Sequence, residues 1–246
     1  MSTVKKIKDF GQSIWYDNIR RDLLQSGAFD KMVQDDGVTG LTSNPSIFHQ
    51  AIAGTSLYDS AIKELGHHGL SAYEIYEQIA IDDLRAAADI LAPVYMQTNR
   101  TDSYVSLEVS PNLAHDTEGT ILEARLLFTR VGRPNLMIKI PATEEGIPAI
   151  EELIENGINV NVTLLFSVER YEQVVEAYLK GLERRLAAGH PIDSVSSVAS
   201  FFVSRVDTAM DKLIEERLKD PNHHQILEEL LGQTAIANAK IAYLHS

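Results

Sequence analysis

The stretch Asn135-Leu-Met-Ile-Lys-Ile-Pro-Ala-Thr143 decides the fold, because it sets one lysine in an otherwise apolar run. Leu136, Met137, Ile138 and Ile140 read as a strand buried on both faces, as a parallel sheet covered by helices requires. Lys139 then points either into the sheet interior or up at its mouth. A buried ammonium is costly, so a lysine in that position tends to shed its proton and act as a nucleophilic amine, which forms Schiff bases with carbonyl compounds. The alternative is an edge lysine whose stem lies along the sheet while its head reaches water. This stretch alone leaves the two readings evenly balanced.

Outward from it, short apolar strands alternate with longer helical patterns. Residues 13–17 form a strand ending in a carboxylate, followed by a helix over 19–25. Residues 37–44 form a second strand ending in Asn-Pro. Helices then cover 46–53, 57–65 and 72–92. Residues 102–109 alternate with period two, and 117–131 is the helix after them. The lysine strand, 136–140, leads to Thr143, which caps a helix over 144–156 that stops at Gly157. Residues 159–166 are the fifth strand, and Ser167 caps the helix 168–188. The sixth strand is 194–203, and helices 206–219, 224–231 and 234–244 follow. This alternation predicts a parallel α/β sheet with helical crossovers, a TIM (β/α)8-type barrel with about six of eight units present. Neither a Pro/Gly/Ser-rich linker nor a fixed-period repeat interrupts it, so residues 1–246 read as a single domain.

Composition narrows the function. A net charge of −13, without a basic face anywhere, argues against nucleic acid. An anionic metabolite can still be held, but only by a local cluster of Arg, Lys and backbone N–H groups. With no cysteine there is no disulfide, thiol catalysis or cysteine metal site. The basic start, Met1 to Phe10, lacks the apolar core of a secretory signal, and no run approaches the roughly 18 apolar residues of a membrane span. A cytoplasmic enzyme is the expectation.

In a parallel barrel the functional side chains sit at the carboxyl ends of the strands. Those ends here carry Asp17, Asn44, Glu108, Lys139, Asn161 with Thr163, and Ser200 with Arg205 just beyond. Each has a bland explanation. Asp17 and Asn44 could cap helices or form Asx-turns. Glu108 could be a solvated strand-end acid, and Arg205 could pair with Asp207 or Asp211. Together they offer an amine nucleophile, two carboxylates for proton transfer, amides and hydroxyls for sugar oxygens, and an arginine fork for phosphate.

Several motifs in register carry a resemblance: Gly40-Leu-Thr-Ser-Asn-Pro-Ser46, Ser106-Leu-Glu-Val109, Met137-Ile-Lys-Ile-Pro-Ala-Thr143, Gly157-Ile-Asn-Val-Asn-Val-Thr-Leu-Leu-Phe-Ser167 and Ala199-Ser-Phe-Phe-Val-Ser-Arg205. From Ile14 to Leu244 the chain resembles the transaldolases, Schiff-base enzymes of the pentose phosphate pathway, and most of all their longer bacterial branch. The resemblance implies a cofactor-free transfer of a dihydroxyacetone unit. Sedoheptulose 7-phosphate or fructose 6-phosphate would be the donor, and glyceraldehyde 3-phosphate or erythrose 4-phosphate the acceptor. By the same resemblance Lys139 matches the Schiff-base lysine, and Glu108 and Thr163 the pair that holds a water and moves protons. Asp17 matches the acid/base of carbon–carbon cleavage. Asn44, Asn161 and Ser200 match groups that hydrogen-bond the bound three-carbon unit, and Arg205 a phosphate-binding arginine. A fructose-6-phosphate aldolase-like enzyme, or an inactive module of a larger fused enzyme, are the alternatives.

Family members of this kind continue past the helix near Leu244 into two more strands and a second phosphate-binding arginine, whereas the sequence here stops at Ser246. The expectation is an incomplete barrel with unpaired strand edges. It would be a fragment, a truncated gene product, the first part of a fusion, or a chain completed by a second copy. A monomer or homodimer is expected. His67-His68 and His223-His224 lack flanking ligands at helical spacing, so no metal site is expected. Trp15 and Tyr16 read as packing residues, and Glu144, Glu145, Glu151, Glu152 and Glu155 as a solvated helix face.

Overall fold

The computed structural model describes residues 4–220 and 226–245. A short 3-10 turn, Val4–Phe10, precedes β1 (Ile14–Asp17), α1 (Arg21–Gln25) and α2 (Ala28–Lys31). Then come β2 (Val38–Thr42), α3 (Pro45–Ala53), α4 (Asp59–His67), α5 (Ala72–Gln97), β3 (Val105–Glu108), α6 (Thr117–Val131) and β4 (Leu136–Pro141). The chain continues through α7 (Gly146–Glu155), β5 (Val160–Leu165), α8 (Val168–Ala187), β6 (Ser197–Phe201), α9 (Ser204–Leu218), α10 (Ile226–Glu229) and α11 (Thr234–Leu244). The sheet order is β1-β2-β3-β4-β5-β6, and the registered pairings β1–β2, β2–β3, β3–β4 and β5–β6 are all parallel. Consecutive order without a reversal, with a helix between successive strands, is the topology of six units of a (β/α)8 barrel.

The chain packs as two compact units: Met1–Ser110 with Ile121–Lys139, and Pro111–Thr120 with Ile140–Ser246. In the first, α5 lays an apolar stripe of Ala80, Leu84, Ala87, Ala88, Leu91 and Tyr95 inward, at the spacing that puts residues on one helix face. Its start is fixed by a capping box. Ser71 N–H donates to Glu74 Oε2 at 2.8 Å, and Ser71 Oγ accepts from the Glu74 N–H at 3.4 Å. Trp15 lies against β2 so closely that a Cβ on Gly40 would sit 2.4 Å from its ring, so only glycine fits there. Tyr16 packs on Phe29 with ring centroids 6.5 Å apart.

In the second unit α7 packs on α8, burying Ala149, Ile150, Leu153 and Ile154 with Val174 and Ala177. Gly157, with φ +79°, ends α7 as expected. Thr143 Oγ1 accepts the Gly146 N–H at 3.0 Å, and Ser167 Oγ accepts the Arg170 N–H at 3.3 Å, so both foreseen caps are made. A bulge interrupts the β5–β6 register between Val162 and Leu165, where Leu164 takes φ +59° and its side chain turns outward.

Four readings need correction. The helix expected to end at Ala92 runs through Pro93 to Gln97. Proline removes one hydrogen bond but not the packing of Tyr95, which is 2% exposed and edge-on to Tyr104. The third strand is shorter than 102–109, because Ser103, at φ +75°, starts it late. Residues 28–36 form α2 and a π turn, unforeseen in the sequence. The acidic face of α7 is not simply solvated, since Glu151 and Glu155 meet Arg184 at 2.5 and 3.6 Å. His67 and His68 are exposed at the end of α4. His223-His224 and the first residues of the expected helix 224–231 lie outside the described residues.

Candidate active site

β4 is buried at all six positions, and Lys139 within it is 7% exposed. The edge-lysine reading therefore falls. On the neighbouring strand Glu108 is the register partner of Lys139, and Glu108 Oε2 lies 3.8 Å from Lys139 Nζ. Lys139 Nζ also donates to the Ser43 carbonyl at 3.4 Å. Ser43 is held in turn by its own hydroxyl, which donates to the Ser106 carbonyl at 2.8 Å. Glu108 is no solvated acid either: burial pushes its pKa above the usual carboxylate range, and the charge of Lys139 opposes that shift without cancelling it.

Two participants were not singled out in the sequence. Ser43 sat inside a quoted motif, but its carbonyl, which has no side-chain signature, is the group that meets the lysine. Tyr76 on α5 is edge-on to Phe48 at 6.0 Å. Burial lifts its hydroxyl to about 12, with the charges of Glu108 and Glu123 adding to the shift. Its place on α5, one turn before the buried stripe, gives it no motif.

Asp17 ends β1, in register with Thr42 on β2. It is exposed, and among the described residues its carboxylate has no hydrogen-bond or ionic partner. It caps no helix: the cap position of α1 is Arg20. Asn44 does cap, accepting the Ile47 N–H on Oδ1 at 3.0 Å. That bond fixes the amide plane and leaves its NH2 group without a partner among the described residues.

The second unit carries the remaining four. Asn161 and Thr163 are buried on β5, 1% and 2% exposed, and the Thr163 carbonyl accepts the Ala142 N–H at 2.8 Å. Ser200 on β6 donates its hydroxyl to Asn161 Oδ1 at 2.8 Å. Arg205 is exposed and stacks over Phe202, 4.6 Å from its centroid, and Phe202 stacks on Phe166 at 5.2 Å. The pairing with Asp207 or Asp211 does not form. Those carboxylates instead accept the Ala235 and Gly232 N–H groups at 3.1 and 2.9 Å, tying α9 to the start of α11. Among the described residues no ion pair neutralises Arg205.

Chemically, the first unit offers a desolvated amine beside a carboxyl group of raised proton affinity, with a second carboxylate exposed at a strand end. The second offers an amide–hydroxyl pair and an arginine with no ion-pair partner among the described residues. No group of three or more metal-binding side chains occurs among the described residues, nor any helix long and apolar enough to cross a membrane.

A family model described as Transaldolase/Fructose-6-phosphate aldolase matches residues 14–245. Among curated proteins, "Transaldolase 2" of Nostoc punctiforme is 53% identical over 242 residues, 97% of this chain and 64% of that protein. "Transaldolase" of Trichodesmium erythraeum is 51% identical over 97% of this chain and 63% of its own length. "Transaldolase" of Thermobifida fusca is 47% identical over 98% of this chain and 64% of its own length. The chain thus spans a little under two thirds of the length of these relatives.

Proposed function

This chain belongs to the transaldolase/fructose-6-phosphate aldolase family, and we propose that it takes part in transaldolase chemistry, with Lys139 as the Schiff-base nucleophile. The reaction is the reversible transfer of a dihydroxyacetone unit. It runs from sedoheptulose 7-phosphate or fructose 6-phosphate to glyceraldehyde 3-phosphate or erythrose 4-phosphate. The observation that carries the reading is the pairing of the buried Lys139 with the partly buried Glu108 at 3.8 Å. Schiff-base formation removes a hydroxyl from the carbinolamine as water, which needs an acid beside the new bond. Glu108, inclined by burial to keep a proton, is suited to supply it. The 3.8 Å gap is too long for a strong direct hydrogen bond and leaves the carboxyl group free to meet the departing hydroxyl.

Asp17 then takes the proton from the C4 hydroxyl as the C3–C4 bond breaks, and its unpartnered carboxylate is available for that. The electron pair passes into the lysine imine as an enamine, so the chemistry needs no cofactor. The family resemblance assigns Thr163 to assist Glu108, Asn44, Asn161 and Ser200 to bind the three-carbon unit, and Arg205 to bind phosphate. An arginine on an aromatic platform, with no carboxylate partner among the described residues, suits that last task. We assign the activity to the cytoplasm, in keeping with a chain that has no cysteine.

The test is borohydride reduction in the presence of fructose 6-phosphate, with peptide mapping and an assay with and without an aldose phosphate acceptor. A three-carbon adduct on Lys139 and turnover that depends on the acceptor are expected. Steady release of dihydroxyacetone without acceptor would point to aldolase activity instead, and an unmodified Lys139 would refute the reading.

A further inference from the structure

We propose that the buried cluster of Arg21, Asp83 and Tyr58 is a positioning device for Asp17, holding the turn that joins β1 to α1; this rests on the reading of Asp17 as a proton carrier. Asp17 is the last residue of β1 and Arg21 the first of α1. Among the described residues the Asp17 side chain has no partner, so the backbone at the end of β1 is what the protein uses to set the reach of its carboxylate. The helix that follows cannot hold that backbone by itself. It has five residues, and its cap residue Arg20 makes no side-chain capping bond to the backbone, bonding Asp22 instead; so short a helix is not stable on its own.

The missing support comes from a distance along the chain. Tyr58 Oη accepts the backbone N–H of Arg21 at 3.0 Å and donates its proton to Asp83 Oδ2 at 2.9 Å. Arg21 Nε donates to Asp83 Oδ1 at 2.7 Å, and the guanidinium carbon lies 4.6 Å from the Tyr58 ring centroid. Asp83 is 3% exposed on the apolar stripe of α5. Within the turn itself Ile19 is fully buried. The chain between Asp17 and α1 is therefore held by an apolar anchor and by a polar one two residues later.

A buried ion pair is a poor device for stability, because desolvation consumes most of its attraction and well-packed apolar residues serve as well. What apolar residues cannot do is hold a backbone N–H at a set place. Here the bond that reaches the backbone comes from the tyrosine hydroxyl, oriented by Asp83, which Arg21 in turn orients.

Tyr58→Phe keeps the ring and its stacking on Arg21 while removing only the hydroxyl. The Arg21 amide should exchange with solvent about fivefold faster in this variant, as loss of one net hydrogen bond implies. With fructose 6-phosphate, imine formation on Lys139 should keep its wild-type rate. Cleavage should slow by about tenfold, so that borohydride traps more six-carbon and less three-carbon adduct. Asp83→Asn, which keeps the shape and removes the charge, should shift the adduct ratio in the same direction. A lower melting temperature with unchanged Arg21 exchange and an unchanged adduct ratio would make the cluster merely structural and overturn the proposal. If the unsubstituted protein gives no adduct on Lys139, the functional reading fails. The pinning of the turn is still judged by Arg21 exchange, and an unchanged rate there overturns it.

Discussion

Every residue of β4 is buried, whereas no residue of β6 is; the two strands place chemistry in opposite solvents. Along β4, Leu136, Met137, Ile138 and Ile140 are completely shielded, and Lys139 must find partners within the protein. It finds a carboxyl group and a carbonyl, and the same dryness drives up the proton affinity of Glu108. On β6 Ser200 is half-buried against Asn161, and just past the strand Arg205 faces outward. Arg205 is exposed and steadied by an aromatic face, and among the described residues no counter-ion meets it. Covalent chemistry needs a site where water does not compete with the amine or the acid. Recognition of an anion needs an approachable positive charge that no carboxylate has already claimed.

The sharpest way to break this contrast is Lys139→Arg, which keeps the charge in the dry strand and removes the amine nucleophile. Turnover should fall to background, and borohydride should leave the peptide unmodified. Residual turnover, or an adduct on another lysine, would show that burial in β4 marks structure and not chemistry.

Glu108→Gln and Asp17→Asn come next, each expected to lower turnover by roughly 10²–10⁴-fold, the usual cost of losing a general acid or base. The two should fail at different steps. Glu108→Gln should slow appearance of the imine, while Asp17→Asn should accumulate the uncleaved ketose imine, trapped as a six-carbon adduct. Variants that mainly raise KM with kcat intact would turn both carboxylates into binding groups.

How far the sequence reached follows the same division between buried and exposed. The apolar run around Lys139 announced its strand, and the caps at Thr143 and Ser167 announced the helices after β4 and β5, because each is a local pattern of residue types. Lys139 was legible because a charge in an apolar run is conspicuous, whereas Glu108 read only as the carboxylate ending an alternating strand. Asn44 was harder, since the residue both caps α3 and keeps an amide free, and sequence presents those as rival readings. Contacts made by tertiary structure left no trace. The Ser43 carbonyl, the Tyr58–Asp83–Arg21 cluster and the approach of Tyr76 join residues 25 to 96 positions apart or act through backbone atoms. Pro93 misled because tertiary packing outweighed a local breaker, and the bulge at Leu164 because no glycine marks its left-handed residue.

On the exposed side of the contrast, Arg205→Ala should act on binding. A hydrogen bond to a charged group is worth about 1.5–3 kcal/mol, so KM for a phosphorylated substrate should rise by roughly 10- to 150-fold with kcat little changed. Phe202→Ala removes the platform and keeps the charge. An exposed cation–π contact is worth about 0.5–1 kcal/mol, so a two- to fivefold rise in KM is expected. Steady-state kinetics separates the two, and an equal fall in kcat for either variant would mean that the arginine acts in the chemical step.

The smallest effect bears on the buried side and has a definite sign. The pKa of Glu108 is raised in the folded protein above its usual value of 4.5, burial outweighing the attraction of Lys139. Between those two values the native state binds more protons than the unfolded chain, and stability must therefore fall as pH rises through that window. Below the ordinary value both states are protonated, and above the raised value both are ionised, so the contribution is flat on either side. Glu108→Gln cannot ionise and lacks this segment. Melting temperatures measured at closely spaced pH values should show the unsubstituted protein losing ground to Glu108→Gln as pH climbs away from 4.5, then running parallel to it. A protein that instead shows no loss above 4.5, and gains on the variant as pH rises toward 4.5 from below, would mean that Lys139 wins over burial. Glu108 would then be an ionised partner and not a proton donor, and the dry strand would be holding an ion pair in place of an acid.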